Sequence, residues 1–183
     1  DLAEAAQCYA FKPDQAATCP LDENGMTYTQ RGNWFDNGYP PVFYGVMTAF
    51  VTDDVSLSIL MMRAFNALLF VGVLCALFFL LPTRMRPNLV WASLIGIVPL
   101  GMFLIPSANP SSWAILQASG LWLAVWGFFE QAGRKKIALG ALSTVLMLIG
   151  AGARSDAAAY GVVALAVAVV LAFRPTRGFL LQL

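Results

Sequence analysis

Arg63 and Asn66 are the residues of this sequence whose types and spacing most directly suggest a binding site. They lie three residues apart in an apolar stretch that we predict to be a membrane-spanning helix, so they share one helical face. A guanidinium binds two phosphate oxygens at once, and an amide adds a further donor. Two interpretations stay open: Arg63 binds an anion such as a lipid phosphate, or its long side chain extends to the membrane surface.

A second charged group, Arg154 and Asp156, flanks Ser155 between the last two apolar stretches. Ser155 or Asp156 is a suitable helix N-cap, and an acid is favoured at that end of a helix. Alternatively, Arg154 joins Arg63 in binding the anion and Asp156 lies near the substrate. The segment "NPSSW" likewise predicts either a helix start with an interfacial tryptophan or a site in which Asn109 faces a substrate.

The candidates for general-base chemistry are four acids with no diagnostic spacing: Asp36, Asp53, Asp54 and Asp156. The chain has no histidine, which excludes histidine-ligated metals and Ser-His or Cys-His catalysis. We therefore predict no metal and no cofactor. Cys8 and Cys19 lie in a polar segment, where we predict a disulfide formed in an oxidising compartment. Cys75 lies in an apolar run and is expected to serve packing alone.

The elements that position these residues are predicted to be membrane helices. Hydrophobic residues make up 59% of the 183 residues and charged ones 11%, well below the roughly 25% of soluble domains. Five apolar stretches approach the length of about 17–25 residues that a spanning helix needs. They are Leu57–Leu81, Leu89–Ile105, Trp113–Phe129, Ile137–Ala153 and Ala157–Phe173. The predicted fold class is an all-α, polytopic transmembrane bundle of about five spanning helices.

The distribution of charge predicts the domains and the topology. Residues 1–56 hold eight acids and two bases, and the rest holds nine bases and two acids. We predict an extracytoplasmic loop with an interfacial helix over residues 1–56 and a helical bundle over 57–183. The basic loops fall on one side, so the C-terminal end is predicted to be cytoplasmic. We interpret these bases as topology signals and expect membrane lipids, but no nucleic acid, as partners.

The segment "PPVFYGVMTAF" followed by "MRAFNALLFVG" resembles the GT-C superfamily of polyprenyl-phosphate-dependent glycosyltransferases. Pro40, Pro41, Tyr44 and Arg63 match its pattern, and Asn66 stands where serine is common. "GMFLIPSANPSSWAILQASGLWLAVW" resembles a block of the bacterial family called domain of unknown function 2142, a predicted distant relative of GT-C enzymes.

The resemblance implies a bacterial plasma-membrane enzyme that transfers a sugar from a polyprenyl-phosphate donor at the outer face. Arg63, Asn66 and Arg154 would bind the donor phosphate, Tyr44, Asn109 and Asp156 would lie near the substrate, and Asp36 would act as the base. The usual GT-C base falls at or before residue 1, and such enzymes have more than five helices. We therefore expect this sequence to be a fragment of such an enzyme or a relative that has lost activity. The alternative is a non-catalytic integral membrane subunit that docks on a larger membrane complex.

Overall fold

The computed structural model describes Asp14 and residues 40–173. Over this part of the chain the fold is all-helical, with seven α-helices and no strand. The α-helices are α1 (Pro41–Met47), α2 (Val55–Leu80), α3 (Arg86–Gly96), α4 (Pro99–Leu104), α5 (Ser111–Glu130), α6 (Gly133–Ala153) and α7 (Ser155–Ala172). Short 3-10 turns occupy Thr48–Phe50 and Thr83–Met85. Asp36, Cys8 and Cys19 lie outside the described residues.

Four of the described helices are long and apolar enough to cross a membrane: α2, α5, α6 and α7. They coincide with four of the predicted stretches, to within four residues at each end. The predicted polytopic helical bundle is thereby confirmed. At 26 residues, α2 is about 39 Å long, which exceeds the roughly 30 Å thickness of the hydrocarbon core.

The stretch Leu89–Ile105 differs from the single helix that we predicted, because it divides into α3 and α4. Pro99 has no N–H, so the carbonyl of Ile95 lacks its usual helical donor. The helical hydrogen-bond pattern is already interrupted one residue earlier, where the N–H of Val98 donates to the carbonyl of Gly96 at 3.0 Å. Both short helices are mostly exposed: Leu89 is the buried residue of α3, and α4 has none.

The core is formed where α5, α6 and α7 pack together with one face of α2. Leu77, Leu121, Leu123, Leu139 and Leu146 are fully buried there. Gly127 of α5 lies directly against Leu81 and Leu139, which brings the helix backbone close to its neighbours. Small residues at such contacts allow membrane helices to approach closely.

Two turns fix the antiparallel order of the last three helices. Gly133 has a φ of +59°, a conformation that glycine adopts without steric cost, and it begins α6 directly after α5. Between α6 and α7 stands Arg154 alone, in an extended conformation with φ −148° and ψ 138°. This single-residue corner holds the Arg154 side chain at the end of the bundle.

Polar contacts place the helix termini at two opposite ends. The Glu130 end contains the last turns of α2 and α5 and the first turn of α6: Arg84 pairs with Glu130, and Gln131 Nε2 donates to the Leu80 carbonyl at 2.8 Å. The Arg154 end contains α1, the start of α2, the loop of residues 105–110 and the Arg154 corner. Arg84, Arg86 and the basic run 134–136 all belong to the Glu130 end.

Candidate functional site

The loop of residues 105–110 is the centre of the polar contacts at the Arg154 end. Ser107 Oγ donates to the carbonyl of Leu104 and Ser112 Oγ to the carbonyl of Ile105, both at 2.6 Å. Asn109 Oδ1 accepts a hydrogen bond from the backbone N–H of Ser111 at 2.9 Å. The Asn109 side chain therefore supports the first turn of α5, as the helix-start interpretation of "NPSSW" expected.

Asn66 ties this loop to α2. Its side chain is 2% exposed, its Nδ2 donates to the Ser107 carbonyl at 2.7 Å, and its Oδ1 accepts from Trp113 Nε1 at 3.0 Å. Both ends of the amide are used, which satisfies its buried polar atoms. Asn66 thus connects α2, the loop and α5 through side-chain hydrogen bonds.

Arg154 connects the corner between α6 and α7 to the start of α5. Its Nε and Nη2 donate to the two carboxylate oxygens of Asp156, at 2.9 and 2.8 Å, in a bidentate ion pair. Its Nη1 donates to Ser111 Oγ at 2.9 Å. Asp156 Oδ1 also accepts from the N–H of Ala157 at 3.0 Å, so the acid supports the first turn of α7 as well.

Tyr44 reaches the same end through an aromatic cluster. The ring of Phe43 packs edge-to-face on Trp113 at 5.1 Å and on Tyr44 at 5.5 Å between ring centroids. Phe43, Met47, Met62, Trp113 and Ala153 form one buried cluster. The short helix α1 is therefore packed against the bundle by its aromatic face, and Tyr44 lies at the edge of that contact.

Arg63 lies apart from these contacts. It is exposed on α2, next to the buried Met62, and makes no hydrogen bond or ion pair with another residue that the structure describes. It stands eight residues from the start of α2, a distance of about 12 Å along the axis. Leu60, three residues earlier, is 64% exposed, so the surface around Arg63 is apolar.

Five predicted site residues thus meet around one loop: Tyr44, Asn66, Asn109, Arg154 and Asp156. The direct contacts of Asn66, Asn109 and Arg154 support the loop and the helix starts, whereas Arg63 makes no hydrogen bond or ion pair with a described residue. Within residues 40–173, no group of three or more acids, cysteines or histidines lies close enough to bind a metal ion.

Two polar residues that sequence reasoning missed lie beside this network. Gln117 of α5 is 2% exposed, and Tyr160 of α7 is 70% exposed. With Asp156 they line a groove of about 200 Å³ between α5 and α7. The signal for Gln117 was available in the sequence, since it is an isolated amide in an apolar helix, and such residues usually face the bundle interior.

A larger, mainly apolar cavity of about 450 Å³ lies beside the break between α3 and α4. Phe70, Ile97, Gly101 and Trp122 are among its lining residues. Phe70 follows Arg63 by seven residues, which places the two on nearly the same face of α2, about 10.5 Å apart along the helix. Phe70 thus lines the cavity about two turns further along α2 than Arg63.

The helices and their charged termini define a polytopic helical membrane protein whose polar contacts concentrate at one end. The chain belongs to the family described as "Predicted membrane protein (DUF2142)", which matches residues 2–180. A search of curated proteins finds no significant match. A search of solved structures likewise finds none.

Proposed function

We propose that this protein is a GT-C-like membrane glycosyltransferase, or a piece of one, that binds a polyprenyl-phosphate-linked sugar at the Arg154 end. The observation that supports the proposal most is the position of Arg63, an exposed cation about 12 Å along a spanning helix with no anionic partner among the described residues. An arginine within the hydrocarbon region is costly, by about 2.5–3.5 kcal/mol at the centre of a helix on insertion scales. A lipid phosphate offsets that cost.

The guanidinium suits this task because it forms two parallel hydrogen bonds to phosphate oxygens. When a sugar leaves a lipid phosphate, negative charge grows on the phosphate, and a fixed cation stabilises that charge. Asn66 and Arg154 support the proposal less directly, since their hydrogen bonds hold the loop and the corner in place. We therefore assign the phosphate to Arg63 and a positioning role to the other two.

Asp36 remains the predicted general base, and its role rests on the resemblance and on its place in the acidic N-terminal segment. General-base catalysis contributes about 10²–10⁴-fold in rate. An assay of sugar transfer from a polyprenyl-phosphate donor in membranes should therefore lose about two orders of magnitude or more in Asp36→Asn. Asp53→Asn, the same change at an exposed acid near the start of α2, should retain activity.

The direct experiment measures which lipids copurify with the protein. The wild type, Arg63→Ala and Arg63→Lys are purified, extracted with organic solvent and analysed by mass spectrometry for polyprenyl phosphates. Arg134→Ala is the matched control, because Arg134 is an exposed arginine at the Glu130 end. We expect about tenfold less polyprenyl phosphate with Arg63→Ala, as loss of a charge-assisted hydrogen bond predicts. Arg63→Lys should keep part of the binding, and Arg134→Ala all of it.

Equal amounts of polyprenyl phosphate in the wild type and Arg63→Ala would refute the assignment of the donor phosphate to Arg63. A loss of ordinary anionic phospholipid, with no polyprenyl phosphate in any sample, would instead identify Arg63 as a residue that extends to the surface lipids. That result would favour the non-catalytic membrane subunit.

A further inference from the structure

The groove between α5 and α7 combines small residues with three polar side chains that have unused hydrogen-bonding capacity. Its walls include Ala118, Ala157 and Gly161, and its polar residues are Gln117, Asp156 and Tyr160. The small residues leave the space of about 200 Å³ open. None of the direct contacts that hold the loop of residues 105–110 uses Gln117 or Tyr160.

Gln117 is the polar group at the floor of the groove. Its side chain passes directly over Gly150 of α6 and Gly161 of α7, where a Cβ would collide with it. Nε2 donates to the Met147 sulfur at 3.3 Å, and a thioether is a weak acceptor. Oε1 accepts no hydrogen bond from any residue that the structure describes. Oε1 lies against Gly150 of α6, whereas Nε2 lies against Gly161 in the groove wall and keeps a second N–H that a ligand in the groove can accept from.

Asp156 and Tyr160 complete the groove at its mouth. They are four residues apart on α7 and therefore share one face. Arg154 binds both carboxylate oxygens of Asp156, which offsets the negative charge but leaves further lone pairs free to accept hydrogen bonds. The Tyr160 hydroxyl makes no hydrogen bond with a described residue. Because the charge of Asp156 is already offset, the site favours neutral donors over cations.

The depth of the groove indicates what can reach it. Gln117 is six residues from the start of α5, and Tyr160 is five residues from the start of α7. These spacings correspond to about 9 Å and 7.5 Å along the helices. Tyrosine is enriched at this level, where lipid head groups meet the hydrocarbon. A head group can therefore enter from the side of the membrane, while its tail stays in lipid.

We propose that this groove binds a neutral, hydroxyl-rich head group through Gln117, Asp156 and Tyr160. A ligand hydroxyl can accept from the second N–H of Gln117 Nε2, which lies against Gly161 of the groove wall. Neighbouring hydroxyls can donate to the Asp156 carboxylate and exchange hydrogen bonds with the Tyr160 hydroxyl. Both the sugar of a lipid-linked glycoside and the glycerol of a phospholipid head group have this chemistry. The inference rests on the proposed function only in expecting the sugar as the natural source.

The test uses the full-length protein in phosphatidylcholine nanodiscs and an alkyl β-glucoside with a diazirine next to the sugar. After irradiation, mass spectrometry of the digested protein locates the labelled peptides. We expect labelling of the groove-facing residues of α5 and α7, reduced by an excess of unmodified octyl glucoside. Phosphatidylglycerol and free glucose are parallel competitors. Competition by phosphatidylglycerol alone would support the site with glycerol as the source, and competition by free glucose would support a sugar that needs no tail.

Variants decide whether the three side chains are responsible. Tyr160→Phe removes one hydroxyl from an exposed residue, so the fold should persist, and Gln117→Leu removes the amide. Each should raise the concentration of octyl glucoside needed to halve the labelling by about three- to tenfold, the loss expected for one hydrogen bond. Ser119→Ala is the matched control, because Ser119 lies on α5 and its hydroxyl bonds to the carbonyl of Leu116. Arg63→Ala should leave this labelling intact, which separates the groove from the donor-phosphate proposal.

Two results would overturn the inference. The first is labelling that no hydroxyl-bearing competitor reduces, since it would show that the probe enters with the bulk lipid. The second is unchanged competition in Tyr160→Phe together with unchanged competition in a folded Gln117→Leu protein.

Discussion

The indole nitrogen of Trp113 donates a hydrogen bond to the side-chain oxygen of Asn66 at 3.0 Å, although 47 residues separate them in the sequence. The same amide donates to the Ser107 carbonyl from its nitrogen. One buried side chain thus joins α2, α5 and the loop that connects α4 to α5. The end of the bundle that carries most of the predicted site residues depends on this amide for its shape.

Trp113→Phe tests that dependence. The change keeps an aromatic ring against Phe43 but leaves Asn66 Oδ1 buried without its donor, which costs about 1–3 kcal/mol. We expect the free energy of unfolding, measured by circular dichroism during SDS titration in mixed micelles, to fall by that amount. Trp91→Phe is the control, because Trp91 is 62% exposed. Equal effects of the two substitutions would show that the hydrogen bond is unimportant.

The Asn66 contacts also mark the limit of what the sequence predicts. The boundaries of α2, α5, α6 and α7 follow from apolar runs that end at proline, glycine and charged residues, so they were predictable. The hydrogen-bond partners of Asn66 were not, because they lie 41 and 47 residues away and depend on how the helices pack. Periodicity predicts that Asn66 shares a face with Arg63, but the structure buries Asn66 against the loop and α5 and leaves Arg63 exposed.

The division between α3 and α4 shows a different limit. Apolar residues continue through Ile97 and Val98, so hydropathy alone predicts one helix over Leu89–Ile105. Pro99 was the local signal that a single helix over this stretch would be interrupted. Prolines are also tolerated within membrane helices when neighbouring groups satisfy the freed carbonyls, and for that reason the proline alone did not decide the outcome.

Gly150→Ala tests the close approach of α5 to α6. A Cβ at Gly150 would lie 2.8 Å from the Cβ of Gln117, so either the helices separate or the Gln117 side chain leaves its position. Overpacking of this kind costs about 1–3 kcal/mol in unfolding free energy. Gly72→Ala is the matched control, since nothing lies within 4 Å of a Cβ there. That change should be neutral or stabilising by up to about 1 kcal/mol.

The double variant Gly150→Ala with Gln117→Ala identifies the source of the strain. Shortening Gln117 removes Oε1 and Cδ, the closest atoms that the new methyl group meets, but keeps Cβ. The two effects should therefore add only in part, with a coupling of about 0.5–3 kcal/mol. Additive losses would contradict the direct contact and point to a general weakness of the α6 helix.

Asp156→Asn tests the ion pair at the corner between α6 and α7. The Arg154 and Asp156 side chains are 29% and 50% exposed, so solvent screens their attraction. We expect a loss of about 0.2–1 kcal/mol in unfolding free energy, decreasing as salt is added. Arg154→Ala should cost more, because it also removes the hydrogen bond to Ser111. A larger loss for Asp156→Asn than for Arg154→Ala would contradict this ranking.

Cysteine labelling tests the predicted topology, in which the Arg154 end faces the cell exterior. In a parent with Cys8, Cys19 and Cys75 replaced by serine, Asp53→Cys places a thiol at the Arg154 end. Arg134→Cys places one at the Glu130 end, and both positions are exposed. A membrane-impermeant maleimide applied to intact spheroplasts should label Asp53→Cys at once. It should label Arg134→Cys only after the membrane is permeabilised.

The physical reason for this expectation is the distribution of bases over the two ends. Arg84, Arg86 and the run 134–136 share the Glu130 end, and loops rich in lysine and arginine stay in the cytoplasm. The parent without cysteines must remain unlabelled for the comparison to hold. The reverse pattern would place Arg63 and the groove of Gln117 on the cytoplasmic side, and a lipid-linked sugar donor at the outer face could then reach neither.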